Sequence, residues 1–148
     1  MSLTRREALV VLAGSATLLS GVVPLHAGTD EAEAEIAAFT GGAEPQPGRV
    51  TLTVPAVAEN GNAVSVTVEV DSAMEGGDRV ESVLIVADGN PRADVAVFHF
   101  SPLSGTAVAT TRIRLARSQT VSAVAKMADG TFLLDRRAVE VAVGGCTG

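Results

Sequence analysis

Cys146 is the only cysteine among 148 residues, and it stands third from the end in Val143-Gly144-Gly145-Cys146-Thr147-Gly148. With no second cysteine there is no disulfide to make within the chain, so the thiol acts on something outside its own domain or on nothing. Gly144 and Gly145 accept almost any backbone conformation, which predicts a flexible arm formed by residues 144–148. At roughly 3.3–3.6 Å per extended residue the sulfur would reach on the order of 10 Å beyond Val143. Such an arm suits delivery of a group carried on sulfur. No Lys, Arg or His lies within five residues of the thiol, so nothing local in the sequence favours the thiolate. Cys146 therefore reads as a substrate of other active sites, a handle rather than an enzyme's own nucleophile.

The other chemistry-bearing residues assemble into little. Once a leader containing His26 is removed, His99 is the one histidine left. A blue-copper centre needs two His, a Cys and usually an axial Met, and tetrahedral zinc needs several nitrogen or sulfur ligands. One mature chain supplies neither set, and Met74 and Met127 read as core or loop residues. A nucleophile and base pair of Cys146 with His99 would need the arm to fold back onto a strand. No catalytic residue, metal ligand or cofactor is expected. Arg112, Arg114 and Arg117, with Arg136 and Arg137, form a basic cluster that would either bind an anion or acidic partner or be the solvated face of strands and turns.

The elements that must carry the arm are β-rich. Hydrophobic residues make up 47% of the chain, yet Trp and Tyr are absent and Phe occurs four times, so valine, alanine, isoleucine and leucine must build the core. Net charge is −6, the wrong sign for a nucleic-acid surface. At the start, Arg5-Arg6 precede an apolar stretch from Ala8 to Val23 and a small-residue cleavage site at Leu25-His26-Ala27. The stretch is short and interrupted for a membrane span, and the paired arginines fit twin-arginine export. Residues 1–27 are thus expected to be a removed signal, leaving no membrane anchor. Of the 11 basic and 17 acidic residues, nine and 16 then remain, a net charge of −7.

Residues 28–48 predict a short helix, Thr29 to Thr40, followed by a Pro/Gly linker; Thr29 or Asp30 can cap the helix, and Ile36, Ala37 and Phe39 give it only a small apolar side. Residues 49–143 alternate as strands, most clearly at Val64, Val66, Val68 and Val70. Further strands are expected at Val50 to Val54, Val80 to Ala87, Asp94 to Phe100, Ala107 to Leu115, Thr120 to Met127, Thr131 to Leu134 and Ala138 to Val143. Asn60-Gly61 and Asp129-Gly130 mark turns. Seven or eight short strands predict an all-β, immunoglobulin-like antiparallel sandwich, with a barrel as the alternative.

The segments Phe39-Thr40-Gly41-Gly42, Pro55 to Gly61, Asn90-Pro91, Arg112 to Ala116, Ser118 to Val121 and the terminal Gly144-Gly145-Cys146 together resemble the SoxY family. The resemblance implies a periplasmic sulfur carrier of thiosulfate oxidation, paired with a SoxZ-like subunit as a heterodimer. It implies that Cys146 is loaded with thiosulfate by a haem c-type enzyme, relieved of sulfate by a manganese hydrolase, and further oxidised by a molybdenum and haem sulfane dehydrogenase. The family tail usually has glycine after the cysteine. Here Thr147 stands there, ahead of Gly148, and its β-branch stiffens the arm. The rival reading is a non-carrier binding or assembly module whose tail cysteine forms an intermolecular disulfide.

Overall fold

The computed structural model describes residues 27–145. The predicted valine alternation becomes strand β4 (Val64–Val70), with its four valines buried and Ser65 and Glu69 exposed. It lies between β2 (Val50–Thr53) and β7 (Ala107–Ile113) in a three-stranded antiparallel sheet, with Val50 opposite Val70 and Val70 opposite Ala107. One face of this sheet meets the core and the other carries Thr51, Thr53, Ser65, Thr110 and Arg112 to solvent, which is why its strands alternate.

The second sheet is read differently by the solvent. Its centre is β5 (Val80–Ala87) paired with β8 (Gln119–Met127), flanked by β6 (Asp94–His99) and β9 (Phe132–Val141). Val83 to Ala87 and Val121 to Ala125 are buried without a break, because both faces are covered. Val83, Ile85, Val121 and Ala123 point into the core shared with the small sheet. Leu84, Val86 and Val124 pack on the other side against Ala32 and Ile36 of α1 (Ala27–Thr40). Continuous apolar runs mark such doubly covered strands, and each fully buried valine or isoleucine contributes about 1.5–3 kcal/mol.

Two dipeptide strands, β1 (Gln46–Pro47) and β3 (Val57–Ala58), run parallel to β9 and complete a six-stranded sheet. Neither is visible as a hydrophobic pattern, and β1 lies inside the stretch expected to be a linker. The helix begins at Ala27, so Thr29 and Asp30 sit in its first turn rather than capping it. Ala32 replaces the exposed Ala37 on its buried side. The two strands expected at Thr131 to Leu134 and Ala138 to Val143 are one strand ending at Val141. The polar residues between them are absorbed by neighbours: Leu52 N–H donates to Asp135 at 2.9 Å, Arg137 pairs with Asp135 at 2.9 Å and Arg136 pairs with Glu33 at 2.7 Å. Beyond Val141 the chain turns away, and Val143 is exposed.

The registers put connections 54–63, 88–93 and 114–118 together with residues 142–145 at one end of the sandwich. Connections 71–79, 100–106 and 128–131 close the other.

Candidate functional site: the root of the C-terminal arm

Cys146, Thr147 and Gly148 lie outside the described residues, as do Arg5 and Arg6, but the two glycines that carry the thiol are described. They are not free of the domain. Gly145 is buried and its N–H donates to the Leu115 carbonyl at 2.9 Å. Gly61 N–H donates to the Val143 carbonyl at 2.8 Å, and Leu115 N–H donates to the Gly61 carbonyl at 2.8 Å. Three separate segments thus meet backbone to backbone at the point where the chain runs out to Cys146.

That meeting needs bare glycine. A Cβ on Gly61 would stand 2.2 Å from the Leu115 oxygen and 2.6 Å from the Gly145 nitrogen. One on Gly144 would stand 2.2 Å from the Ala116 oxygen, and one on Gly145 2.8 Å from the Gly61 oxygen. All of these opposing atoms are backbone, so no rotamer change relieves them. None of the three glycines has positive φ, in contrast to Gly130 at φ 88°. Space, not conformational range, fixes their identity here, so Gly144 and Gly145, expected to be part of a flexible arm, are held against the domain.

Side-chain amides hold the 114–119 segment in place. Asn90 Nδ2 donates to the Arg114 carbonyl at 2.8 Å, and Asn90 Oδ1 accepts from Ala116 N–H and from Gln119 Nε2, both at 3.0 Å. Gln119 Oε1 in turn accepts Gly89 N–H at 2.7 Å, and Ser118 Oγ accepts Val141 N–H at 2.9 Å. On the opposite side, Asn60 Oδ1 accepts Asn62 N–H at 2.9 Å and shapes the loop that carries Gly61. An open cleft of about 530 Å³ lies at this end, lined by Thr29, Asp88, Arg117 and Gln119 among others.

The basic cluster divides. Arg136 and Arg137 are paired as described above, and Arg137 Nε also donates to the Leu52 carbonyl at 3.2 Å. Arg112, Arg114 and Arg117 are exposed and make no ion pair among the described residues. Arg114 and Arg117 bracket Leu115 and Ala116, so the fold brings cationic residues to the arm's root that the local sequence around Cys146 lacks. His99 is exposed on β6, with Ser82 its neighbour across the ladder. Met127 is buried on β8 and Met74 is buried in the 71–79 connection. Among the described residues no three His, Cys, Asp or Glu side chains group as metal ligands.

Gly61, Leu115, Asn90 and Gln119 were not legible as parts of one site. Each sits in a segment that carried the family resemblance, but only the fold reveals that these segments converge.

Among curated protein sequences nothing matches. Of solved structures, the sulfur carrier protein SoxY from Chlorobium limicola f thiosulfatophilum is 26% identical with a TM-score of 0.63, over 76% of this chain and 97% of that one. A superoxide reductase (neelaredoxin) from Ignicoccus hospitalis is 15% identical with a TM-score of 0.52, over 76% of this chain and 91% of that one. A likeness at that identity concerns the fold alone. The family described as sulfur oxidation protein SoxY matches residues 36–146, a span that begins inside α1, takes in every segment of the arm's root and ends on Cys146. The chain belongs to the SoxY family.

Proposed function

We propose that this protein is a periplasmic sulfur carrier that holds sulfur intermediates covalently on Cys146 and presents them to partner enzymes, with no catalytic activity of its own. A sulfur-carrier role in sulfur oxidation follows from family membership and from the likeness to the Chlorobium carrier. The observation that carries the finer reading is that the family match runs through Gly144 and Gly145 and includes Cys146. The chemistry fits a passive thiol. Joining thiosulfate to Cys146 forms a sulfur–sulfur bond and releases one proton and two electrons, which a haem c-type partner accepts. Addition of water, promoted by a manganese hydrolase, removes the terminal group as sulfate and leaves a persulfide on Cys146. A molybdenum and haem sulfane dehydrogenase then oxidises the persulfide sulfur.

In this reading residues 1–27 are a twin-arginine signal removed on export, 28–48 and 49–143 form the folded carrier, and 144–148 are the segment that carries the thiol, with Gly144 and Gly145 held at its root. A SoxZ-like subunit binds the sandwich as a heterodimer and travels with it. No helix among the described residues is long and apolar enough to cross a membrane.

Cys146→Ser separates this function from that of an assembly module with a tail disulfide. The carrier reading expects thiosulfate-dependent oxidation by the reconstituted system to be lost while Tm is unchanged. Lost crosslinking with oxidation preserved would establish the module instead.

A further inference from the structure

We propose that Gly61 is a positioning residue for the C-terminal arm: with Gly144 and Gly145 it forms a three-glycine clasp that fixes where the arm leaves the sandwich. The hydrogen bonds run in series. Val143 accepts from Gly61, Gly61 accepts from Leu115, and Leu115 accepts from Gly145, at 2.8, 2.8 and 2.9 Å. Leu115 is fully buried, and its flanks are pinned by Asn90, which bonds to both Arg114 and Ala116. The clasp therefore rests on a buried, hydrogen-bonded part of the 114–118 connection rather than on an exposed loop tip.

The geometry leaves no room for any other residue at its centre. Gly61 faces the Leu115 oxygen, the Gly145 nitrogen and Val141 Cγ1 at once, the last at 3.1 Å from an added Cβ. Because Cys146 follows Gly145 directly, its Cα lies about 3.8 Å from that of Gly145. Holding Gly145 thus sets the position from which the thiol departs. Breaking the Gly145 to Leu115 bond frees two more residues and lengthens the arm by about 7 Å. None of the clasp's hydrogen bonds involves an ionisable side chain, so pH in the carboxylate range does not work it.

Its purpose rests on the carrier reading, but its existence does not, and the test uses no sulfur chemistry. Amide exchange at Gly145 and the alkylation rate of Cys146 by iodoacetamide are measured on the full mature chain and compared with the free peptide of residues 143–148. In the wild type the Gly145 amide is protected at least tenfold and the thiol rate differs from the peptide's at least threefold. In Gly61→Ala both values move to those of the free peptide, while the variant stays folded and the protection of β4 amides falls by no more than its lowered Tm accounts for. Gly144→Ala, which collides with the Ala116 oxygen from the arm itself, gives the same result and decides the matter if Gly61→Ala fails to fold. An unprotected Gly145 in the wild type overturns the proposal. So does a folded variant with wild-type protection, or one in which protection is lost and the thiol rate stays put.

Discussion

At the end of the sandwich away from the arm, Arg49, Ser72 and Asp78 tie the β4–β5 connection with charge and hydroxyl groups. At the arm-bearing end, Gly61, Leu115 and Gly145 are joined backbone to backbone. The first closure is built from side chains. Asp78 accepts from Ala73 N–H at 2.7 Å and from Arg49, and Ser72 Oγ donates to the Asp78 carbonyl. Arg49 and Met74 there adopt positive φ, at 61° and 56°, a left-handed conformation that costs a non-glycine residue roughly 1–2 kcal/mol. The second closure has close backbone approach in place of charge. A surface connection closed by side chains tolerates change one residue at a time, whereas a glycine crossing fails when a single methyl group is added.

Leu115→Ala is expected to have the largest effect, because it removes a fully buried side chain from the core and loosens the carbonyl that holds Gly145. A loss of about 2–5 kcal/mol should appear in urea denaturation, with Gly145 exchange rising more than the global stability alone explains. Asn90→Ala should cost less, about 1–3 kcal/mol for the unpaired groups it leaves behind. It should again act on Gly145 exchange and leave the 71–79 connection untouched. If both variants relaxed the two ends equally, the ends would not be independent.

Acid sharpens the contrast. The Ala73 N–H bond and then Arg49 hold the Asp78 carboxyl below the usual carboxylate range, and the Thr131 N–H does the same for Asp129. A carboxyl depressed in the folded state stabilises it above the ordinary carboxylate pKa, and that stability is lost as pH falls through the depressed value. Denaturation from pH 7 to pH 3 should therefore show a weaker acid slope in Asp78→Asn than in the wild type. The protection of Gly145 relative to the core should be the same in both. Thr147→Gly is expected to do least, leaving stability unchanged and keeping or slightly raising the rate of thiosulfate loading; a clear fall in that rate would show that the β-branch helps.

The two Gly-turn signals explain what a reader of the sequence can and cannot recover. Asp129-Gly130 behaves as its type predicts: Gly130 has φ 88°, its N–H donates to the Met127 carbonyl at 3.0 Å and β8 turns into β9. Asn60-Gly61 carries the same local signal, yet Gly61 has no positive φ and hydrogen-bonds to Leu115 and Val143, 54 and 82 positions away. Local chemistry writes turns and alternation into the sequence, so the sandwich and its strands were legible. The parallel pairing of β1 and β3 with β9, the docking of Ala32 and the convergence on Leu115 are long-range matters that no window of residues contains. Cys146 stands out in the sequence by its solitude, whereas the backbone contacts of Gly144 and Gly145 do not, because two glycines before it look like a tether.

The central claim is that Cys146 carries sulfur, and the mass of the C-terminal peptide tests it most directly. Peptide from protein isolated out of thiosulfate-oxidising cells should carry the added mass of thiosulfate or sulfane sulfur on Cys146. A peptide found only as free thiol or as an intermolecular disulfide, with the partner enzymes active, would contradict it.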